Sequence, residues 1–427
     1  MILDSLEDRV IKYYSDSKKV LPRYDGHSLT NIPSTVSEML APGSGTDSIG
    51  KEHFNDVAPG DASKVVLFYI DGISYDFTKT LSSDIGFLGR LVRKGAVSPI
   101  TAVFPTTTAA SCTSLNTGLS PMEHTLLEWE LYFHETGALM YTLPFRAVTS
   151  KYSRRARKLS PDALFKGETI YSKMKRQGVR SFVLVNRNIS KGAYSDRVFE
   201  GGTVVPYSYI TDCIIQLRNI LEHEEGPLYI YVYIESADSV GHTYGPDTEM
   251  YRAEVRSISR IIRFELLEKI DPLAAADVSI IMTSDHGQVQ IDPARTRYLN
   301  RISGLWDSFE THLGDPIPPV GSPRDLFLHV RSDSLEGTKG ILEDHLARMA
   351  AIMTVDDAIK SGIFGRGIPS DLFHMRAGNL MILPDDGKTI WYRIKGQVPM
   401  HLRGLHGGLS RDEMVIPFGI ANLSHLI

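Results

Sequence analysis

The chain of 427 residues carries 46 Lys and Arg against 51 Asp and Glu, a formal net charge of −5, which argues against electrostatic capture of long nucleic acid. Its 42% hydrophobic and 23% charged residues are ordinary for a soluble globular protein. Two cysteines, Cys112 and Cys213, exclude a disulfide framework. No apolar run approaches the ~20 residues that cross a bilayer, and MILDSLEDRV lacks a basic-then-apolar leader pattern, so the expectation is a cytoplasmic protein without a membrane partner.

In chain order, residues 1–62 read as an N-terminal extension packed on the core, with the Gly/Ser/Asp-rich APGSGTDSIG as a spacer. Lys64–Ile70 (KVVLFYI) is a short, continuous β-rich run, the pattern of a strand buried on both faces. Residues 181–185, Leu228–Ile234 and Val278–Thr283 repeat it, and helical periodicity occupies 170–177, 209–223 and 250–270. This alternation predicts βαβ units and an α/β core with a mainly parallel sheet over 63–290 and 398–427. Between 291 and 397 the texture changes. A Pro/Gly break, GDPIPPVGSPR, is followed by a strand (DLFLHV), a helix (LEGTKGILEDHLARMAAI) and another strand (NLMILP), read as a smaller inserted α+β subdomain.

Metal-type ligands stand where the apolar runs stop: Asp71, then Asp238 and His242, then Asp285 and His286, and late in the chain His406. A parallel sheet gathers such residues at the carboxyl edge of its strands. Three Asp and three His suit two borderline-soft cations such as zinc and point to a two-metal phosphoryl-transfer site. Singly, each has a plainer reading: Asp71 as a helix N-cap, and each Asp/His pair as a polar loop. Asp238 and His242 are one helical turn apart, whereas adjacent Asp285 and His286 can share a metal only where the strand has ended, with Gly287 letting the backbone turn. His406 lies among glycines, which its neighbour His401 lacks. His329, His345 and His374 read as ordinary core or surface histidines, and His124 as support for the loop after the next motif.

That motif is FPTTTAASCTSLNTGL, in which three threonines precede a helix stopped by Gly118. A hydroxyl at a helix N-terminus sees free N–H groups and the positive end of the dipole, which suits a phosphate; the plainer reading is a capping threonine. Cys112 reads as a small buried residue.

Taken in order from 64 to 420, these motifs (an Asp after the first strand, FPTxT before a helix, DxxxH followed by G, DHG, and a late HGG) resemble the alkaline-phosphatase superfamily, specifically its type I phosphodiesterase/nucleotide pyrophosphatase branch. The resemblance implies an alkaline-phosphatase-like sandwich with a mainly parallel central sheet flanked by helices. It implies a nucleophile at Thr108, matching the threonine of FPTxT, with Thr107 as the alternative register. One metal would be held by Asp71, Asp285 and His286 and the other by Asp238, His242 and His406; zinc is usual in the family and manganese serves some relatives.

Two departures stand out. The family commonly continues FPTxT with a Phe-Pro-Asn-His type run, where this chain has Ala109, Ala110, Ser111 and Cys112. It also places an Asn about two dozen residues on to hold a phosphate oxygen, where this chain has Glu128 and Trp129. Those two residues and Phe104 are therefore the candidate substrate-binding residues. The implied activity is hydrolysis of a phosphodiester or pyrophosphate bond in a small substrate of nucleotide or nucleotide-sugar type, through a phospho-threonine intermediate. A phosphomonoesterase or phosphonate hydrolase of the same superfamily is the alternative, and an inactive, metal-stabilised binding protein the remote one.

Overall fold

A computed structural model describes residues 1–15, 17–54 and 62–427. Its labelled strands, in chain order, are β1 (Lys64–Ile70), β2 (Ala96–Thr101), β3 (Glu130–Phe133), β4 (Ala138–Tyr141), β5 (Arg180–Asn186), β6 (Thr203–Tyr207), β7 (Leu228–Ile234), β8 (Val278–Thr283), β9 (Val320–Ser322), β10 (Asp325–Leu328), β11 (Ala350–Thr354), β12 (Leu380–Pro384) and β13 (Val415–Asn422). The principal helices are α1 (Ile32–Leu40), α2 (Thr108–Thr117), α3 (Ile170–Arg176), α4 (Ile210–His223), α5 (Ser236–Tyr244), α6 (Glu249–Ile262) and α7 (Leu335–His345).

The central sheet is seven-stranded, in the order β2-β13-β8-β1-β7-β5-β6. Every residue of β1, β7 and β8 is buried, because apolar and aromatic side chains on both faces leave no side for water. All pairings are parallel except those of β13, which runs antiparallel between β8 and β2. Tyr69 of β1 sits opposite both Tyr233 of β7 and Thr283 of β8, so the three strands end together and release their following residues along one edge. Because β13 is reversed, the loop that precedes it reaches the same edge.

Two sequence expectations needed correction. The helical periodicity over 250–270 breaks into α6 and a wider π turn, Arg263–Leu267. The helix predicted from LEGTKGILEDHLARMAAI stops at His345, and its last apolar residues form β11. Alternation also gave no sign of β2, β6 or the hairpin β3–β4, which are short and flanked by polar loops.

Strands β9 to β12 form an antiparallel sheet in the order β9-β10-β12-β11. Leu326, Leu328, Leu380 and Ile382 on one face pack with Leu342 and Leu346, at the end of α7, in a separate apolar cluster. Phe327, Met381 and Leu383 on the other face belong to the main core, so the layer is welded to it. The N-terminal segment follows β2: isolated parallel bridges join Ile2 to Val97 and Ser28 to Thr101. Residues 55–61, which lead to the predicted end of the extension, lie outside the described residues. Among the described residues no helix is long and apolar enough to cross a membrane.

Candidate active site

The carboxyl edge of the sheet brings all six candidate ligands together in two clusters. Asp71, Asp285 and His286 form one and Asp238, His242 and His406 the other; within each, one ligand atom per residue lies within 4.8 Å of the rest. Asp71 and the Asp285/His286 pair follow β1 and β8, and Asp238 and His242 lie on successive turns of α5, which β7 feeds. His406 comes from the loop before β13. The clusters adjoin, because the His286 and His406 rings stack at 3.6 Å between centroids.

Each histidine is oriented by a backbone carbonyl. The Nδ1–H groups of His242, His286 and His406 donate to Gly404 O (2.7 Å), Gly287 O (3.1 Å) and Thr106 O (2.8 Å). This turns every Nε2 into the site, the arrangement found behind metal-ligating imidazoles. His242 Nε2 and His406 Nε2 are 3.2 Å apart. Asp238 Oδ2 lies 3.3 Å from His242 Nε2, and Asp285 Oδ2 lies 3.1 Å from His286 Nε2.

Two further oxygens test whether a cation fits. Asp71 Oδ1 and Asp285 Oδ2 are buried and have no hydrogen-bond partner, a costly state for a carboxylate. Burial and the charges of Asp285 and Asp238 push the Asp71 carboxyl well above the usual range. Burial acts the same way on Asp285, but His286 beside it holds that carboxyl low. Converging imidazole nitrogens and bare carboxylate oxygens fit a pair of divalent cations.

The close packing around the DHG turn explains its glycine differently from the sequence reading. A Cβ on Gly287 would lie 1.9 Å from Asp412 O, so this glycine is required by close approach rather than by an unusual backbone angle. A Cβ on Gly407, beside His406, would meet Asp325 Oδ1 at 2.4 Å, and its φ of +131° also favours glycine.

The three adjacent threonines divide their work. Thr106 Oγ1 donates to Gly408 O (2.8 Å) and accepts from Gly407 N–H (3.0 Å), tying down the His406 loop. Thr107 is the N-cap of α2; its hydroxyl accepts from Ala110 N–H and donates to Leu127 O (3.2 Å). Thr108 opens the helix, and its Oγ1 lies 3.3 Å from His286 Nε2. By helix geometry the N–H groups of Thr108 and Ala109 have no intrahelical acceptor. Gly118, at φ +77°, ends α2, and Ser111 Oγ donates to Asp285 O (3.0 Å), fixing the helix against the DHG turn. His124 supports the far end of α2 through Ser114 Oγ (3.0 Å).

A cleft of about 710 Å³ opens onto Thr108, Asp238, His242 and His406. Glu128 and Trp129 line it, as does Tyr141, whose ring lies 6.0 Å from that of Trp129 and 4.8 Å from the Arg146 guanidinium. Phe104 does not reach it. That ring is fully buried and packs 5.3 Å from Phe364, so the expectation of a substrate contact is corrected to a core contact.

Sequence reasoning missed several supporting groups. Tyr233 O–H donates to Asp71 Oδ2 (2.5 Å), and Gln288 Nε2 reaches both the carbonyl and the carboxylate of Asp238. The signal for Tyr233 was present: a tyrosine in a fully buried strand needs a partner for its hydroxyl. Asp325 has no such signal. It arrives from β10 to face Glu128, whose carboxyl burial pushes up to about 7; burial and the Glu128 charge raise Asp325 as well.

The fold is alkaline-phosphatase-like, an α/β sandwich with the paired ligand clusters at the carboxyl edge of its sheet. The sequence model of type I phosphodiesterase / nucleotide pyrophosphatase matches residues 65–409, and the chain belongs to that family. It is 24% identical over 246 residues to human ectonucleotide pyrophosphatase/phosphodiesterase family member 1, an alignment covering 56% of this chain and 25% of that protein. It is 25% identical over 264 residues to human family member 7, covering 60% of this chain and 53% of that protein. The chain thus spans a quarter to a half of the length of these curated relatives.

Among solved structures, murine ectonucleotide pyrophosphatase/phosphodiesterase 5 aligns with a TM-score of 0.63 at 15% identity, covering 84% of this chain and 88% of the other. Phosphonoacetate hydrolase from Sinorhizobium meliloti 1021, in complex with phosphonoformate, aligns at 0.60 and 16% identity, covering 84% and 93%. These two likenesses concern the fold.

Proposed function

We propose that this protein hydrolyses a phosphodiester or pyrophosphate bond of a small substrate, with Thr108 as nucleophile and the two ligand clusters each holding a divalent cation of zinc type. The observation that carries this reading is the position of Thr108 Oγ1, at a helix N-terminus, 3.3 Å from His286 Nε2 and open to the cleft. When bound, the cations lower the hydroxyl pKa and neutralise charge on the phosphoryl oxygens.

Thr108 Oγ attacks phosphorus in line. The Oγ–P bond forms as the bond to the leaving oxygen breaks, the hydroxyl proton ends on the departing alcohol or phosphate, and a phospho-threonine results. Free N–H groups at the start of α2 face a phosphoryl oxygen, and the positive helix end favours its charge. In the second step a water attacks phosphorus, the Oγ–P bond breaks, and one proton of the attacking water restores the Thr108 hydroxyl. Thr106 and Thr107 hold the loop and the helix start fixed throughout, which keeps the attacking oxygen in line. Trp129 and Tyr141 offer faces for a base or sugar.

Turnover of bis-p-nitrophenyl phosphate against p-nitrophenyl phosphate tests the bond type. Faster diester hydrolysis, abolished in Thr108→Ala, is the expected result. A strong monoester preference, or release of phosphate from phosphonoacetate, supports the monoesterase or phosphonate-hydrolase alternative instead.

A further inference from the structure

A third ligand group lies away from the cleft. His27, Glu52 and His53 bring one ligand atom each to within 4.8 Å of one another, as do the residues of the two active-site clusters. His27 and His53 are buried, and Glu52 is partly exposed at the rim. None of the three lines the cleft. The geometry points to a further divalent-cation site, formed by His27, His53 and Glu52, that clamps the N-terminal segment to β2.

The donor set is suitable. Two imidazoles and one carboxylate are ligands of three-residue zinc sites, with water completing the tetrahedron. His27 Nε2, which carries the ring proton once Nδ1 ligates, lies 3.8 Å from Glu52 Oε1, which keeps that carboxylate beside the imidazole pair. His27 Nδ1 and His53 Nε2 lie 2.7 Å apart and share one proton. Shifting that proton to the other His27 nitrogen and opening the pair to about 3.3 Å would give two ligands of one tetrahedral cation with bonds of about 2.0–2.1 Å.

The outer contacts behave as a supporting shell. His53 Nδ1 is held by Ser98 Oγ of β2 at 2.7 Å, which turns Nε2 toward His27. Glu52 Oε1 is steadied by Arg9 (2.9 Å). The backbone carrying the ligands is tied down in sequence: His27 O accepts from Thr101 N–H at the end of β2 (2.8 Å), and Gly50 N–H donates to Gly26 O (3.0 Å), joining the Glu52/His53 segment to the His27 segment. The His53 ring meets Phe418 of β13 edge-on at 6.2 Å. The three ligands therefore come from two segments distant in sequence, each fixed on the sheet before any cation arrives, which lowers the ordering cost of binding.

The full chain is stripped of metal with a chelator, reloaded with Zn²⁺ alone, desalted, and its zinc counted by mass spectrometry. Wild type is expected to carry one more zinc per chain than His53→Gln, His27→Gln or Glu52→Gln. These variants should keep wild-type far-UV circular dichroism and wild-type hydrolysis of bis-p-nitrophenyl phosphate. Reloading with Co²⁺ adds a check: the difference spectrum between wild type and His53→Gln should show visible bands of tetrahedral cobalt. Equal zinc content in wild type and in those variants that keep the native spectrum overturns the proposal. So does a loss of zinc confined to variants that have unfolded, with Glu52→Gln, whose side chain is least buried, as the decisive member. The count needs no activity, so it stands or falls separately from the proposed hydrolysis.

Discussion

Arg324 and Glu413 form a fully buried ion pair, with Nε and Nη2 of the arginine on the two carboxylate oxygens at 2.8 and 2.7 Å. The pair joins the inserted sheet to the loop that carries His406, because Glu413 also accepts from Gly408 N–H (3.0 Å) and Ser410. Arg324 completes its bonding on the carbonyls of Asp385 and Lys388, both at 2.6 Å. Removing either partner strands a charge in the interior, which costs about 3–5 kcal/mol. Arg324→Met should lower urea-unfolding stability by that amount and weaken zinc binding at the Asp238/His242/His406 cluster. The double variant Arg324→Met/Glu413→Leu should recover most of the stability but not the metal affinity. Equal zinc affinity in Arg324→Met and wild type would show that the His406 loop is held by other contacts.

The two central threonines separate by their hydroxyl contacts. Thr108→Ala should cut turnover by at least about a thousandfold while leaving metal content unchanged, since only the attacking oxygen is lost. Thr107→Ala removes an N-cap and should cost about 1 kcal/mol of stability with a much smaller effect on turnover. Reversed effects would move the nucleophile to Thr107. Radiolabel trapped on a peptide containing residue 108 after acid quench would identify the covalent step directly.

Metal removal leaves Asp71 Oδ1 and Asp285 Oδ2 buried beside imidazole nitrogens with nothing to bind. Chelation should lower the melting temperature, and excess Zn²⁺ should raise it in proportion to the logarithm of free metal. Asp71→Asn relieves the crowding of carboxylates, so its metal-free form should melt higher than metal-free wild type, although it binds zinc more weakly. A metal-free Asp71→Asn that melts lower would mean that the Tyr233 bond to Asp71 outweighs the repulsion.

Glu130 gives a pH signature apart from the metal ligands. It is almost fully buried, and burial pushes its carboxyl up to about 8; Gln397 Nε2 donates to both oxygens at 3.1 and 3.2 Å. Because the folded value is raised, the folded protein keeps a proton that the unfolded chain gives up above about pH 4.3. Stability therefore falls as pH rises from that value to about 8. The penalty is of order 2 kcal/mol once water penetration is allowed for. Glu130→Gln should flatten the dependence, raising the urea midpoint more at pH 8 than at pH 5.5. Parallel shifts at both pH values would assign the effect to packing instead.

The legible parts of the site were those that end a buried strand. Asp71, Asp285 and His286 follow continuous apolar runs, and β1, β7 and β8 occupy the predicted spans because solvent is excluded from both faces. Thr108 was legible as part of a helix start, yet its distinction from Thr107 rests on which hydroxyl the backbone already uses. Groups that act across the chain were not readable. Asp325 meets Glu128 only because β10 packs beside the cleft, and Tyr141 reaches Trp129 through a hairpin with no periodic signal. Phe104 misled because an aromatic next to a nucleophile motif has the same appearance whether it faces the cleft or the core.

The reversed strand β13 also orders events during synthesis. It fills the gap between β8 and β2, so the sheet has two unjoined edges until residues 415–422 have left the ribosome. His406 precedes that strand and is positioned by the loop it terminates. A nascent chain stalled before β13 thus exposes two long strand edges and leaves His406 present but unpositioned by the sheet, making it prone to aggregate and unable to assemble the second ligand cluster. Catalytic competence is coupled to completion of the sheet: a ribosome-stalled fragment ending before residue 415 should be inactive and protease-sensitive, whereas one in which β13 has cleared the exit tunnel should be neither.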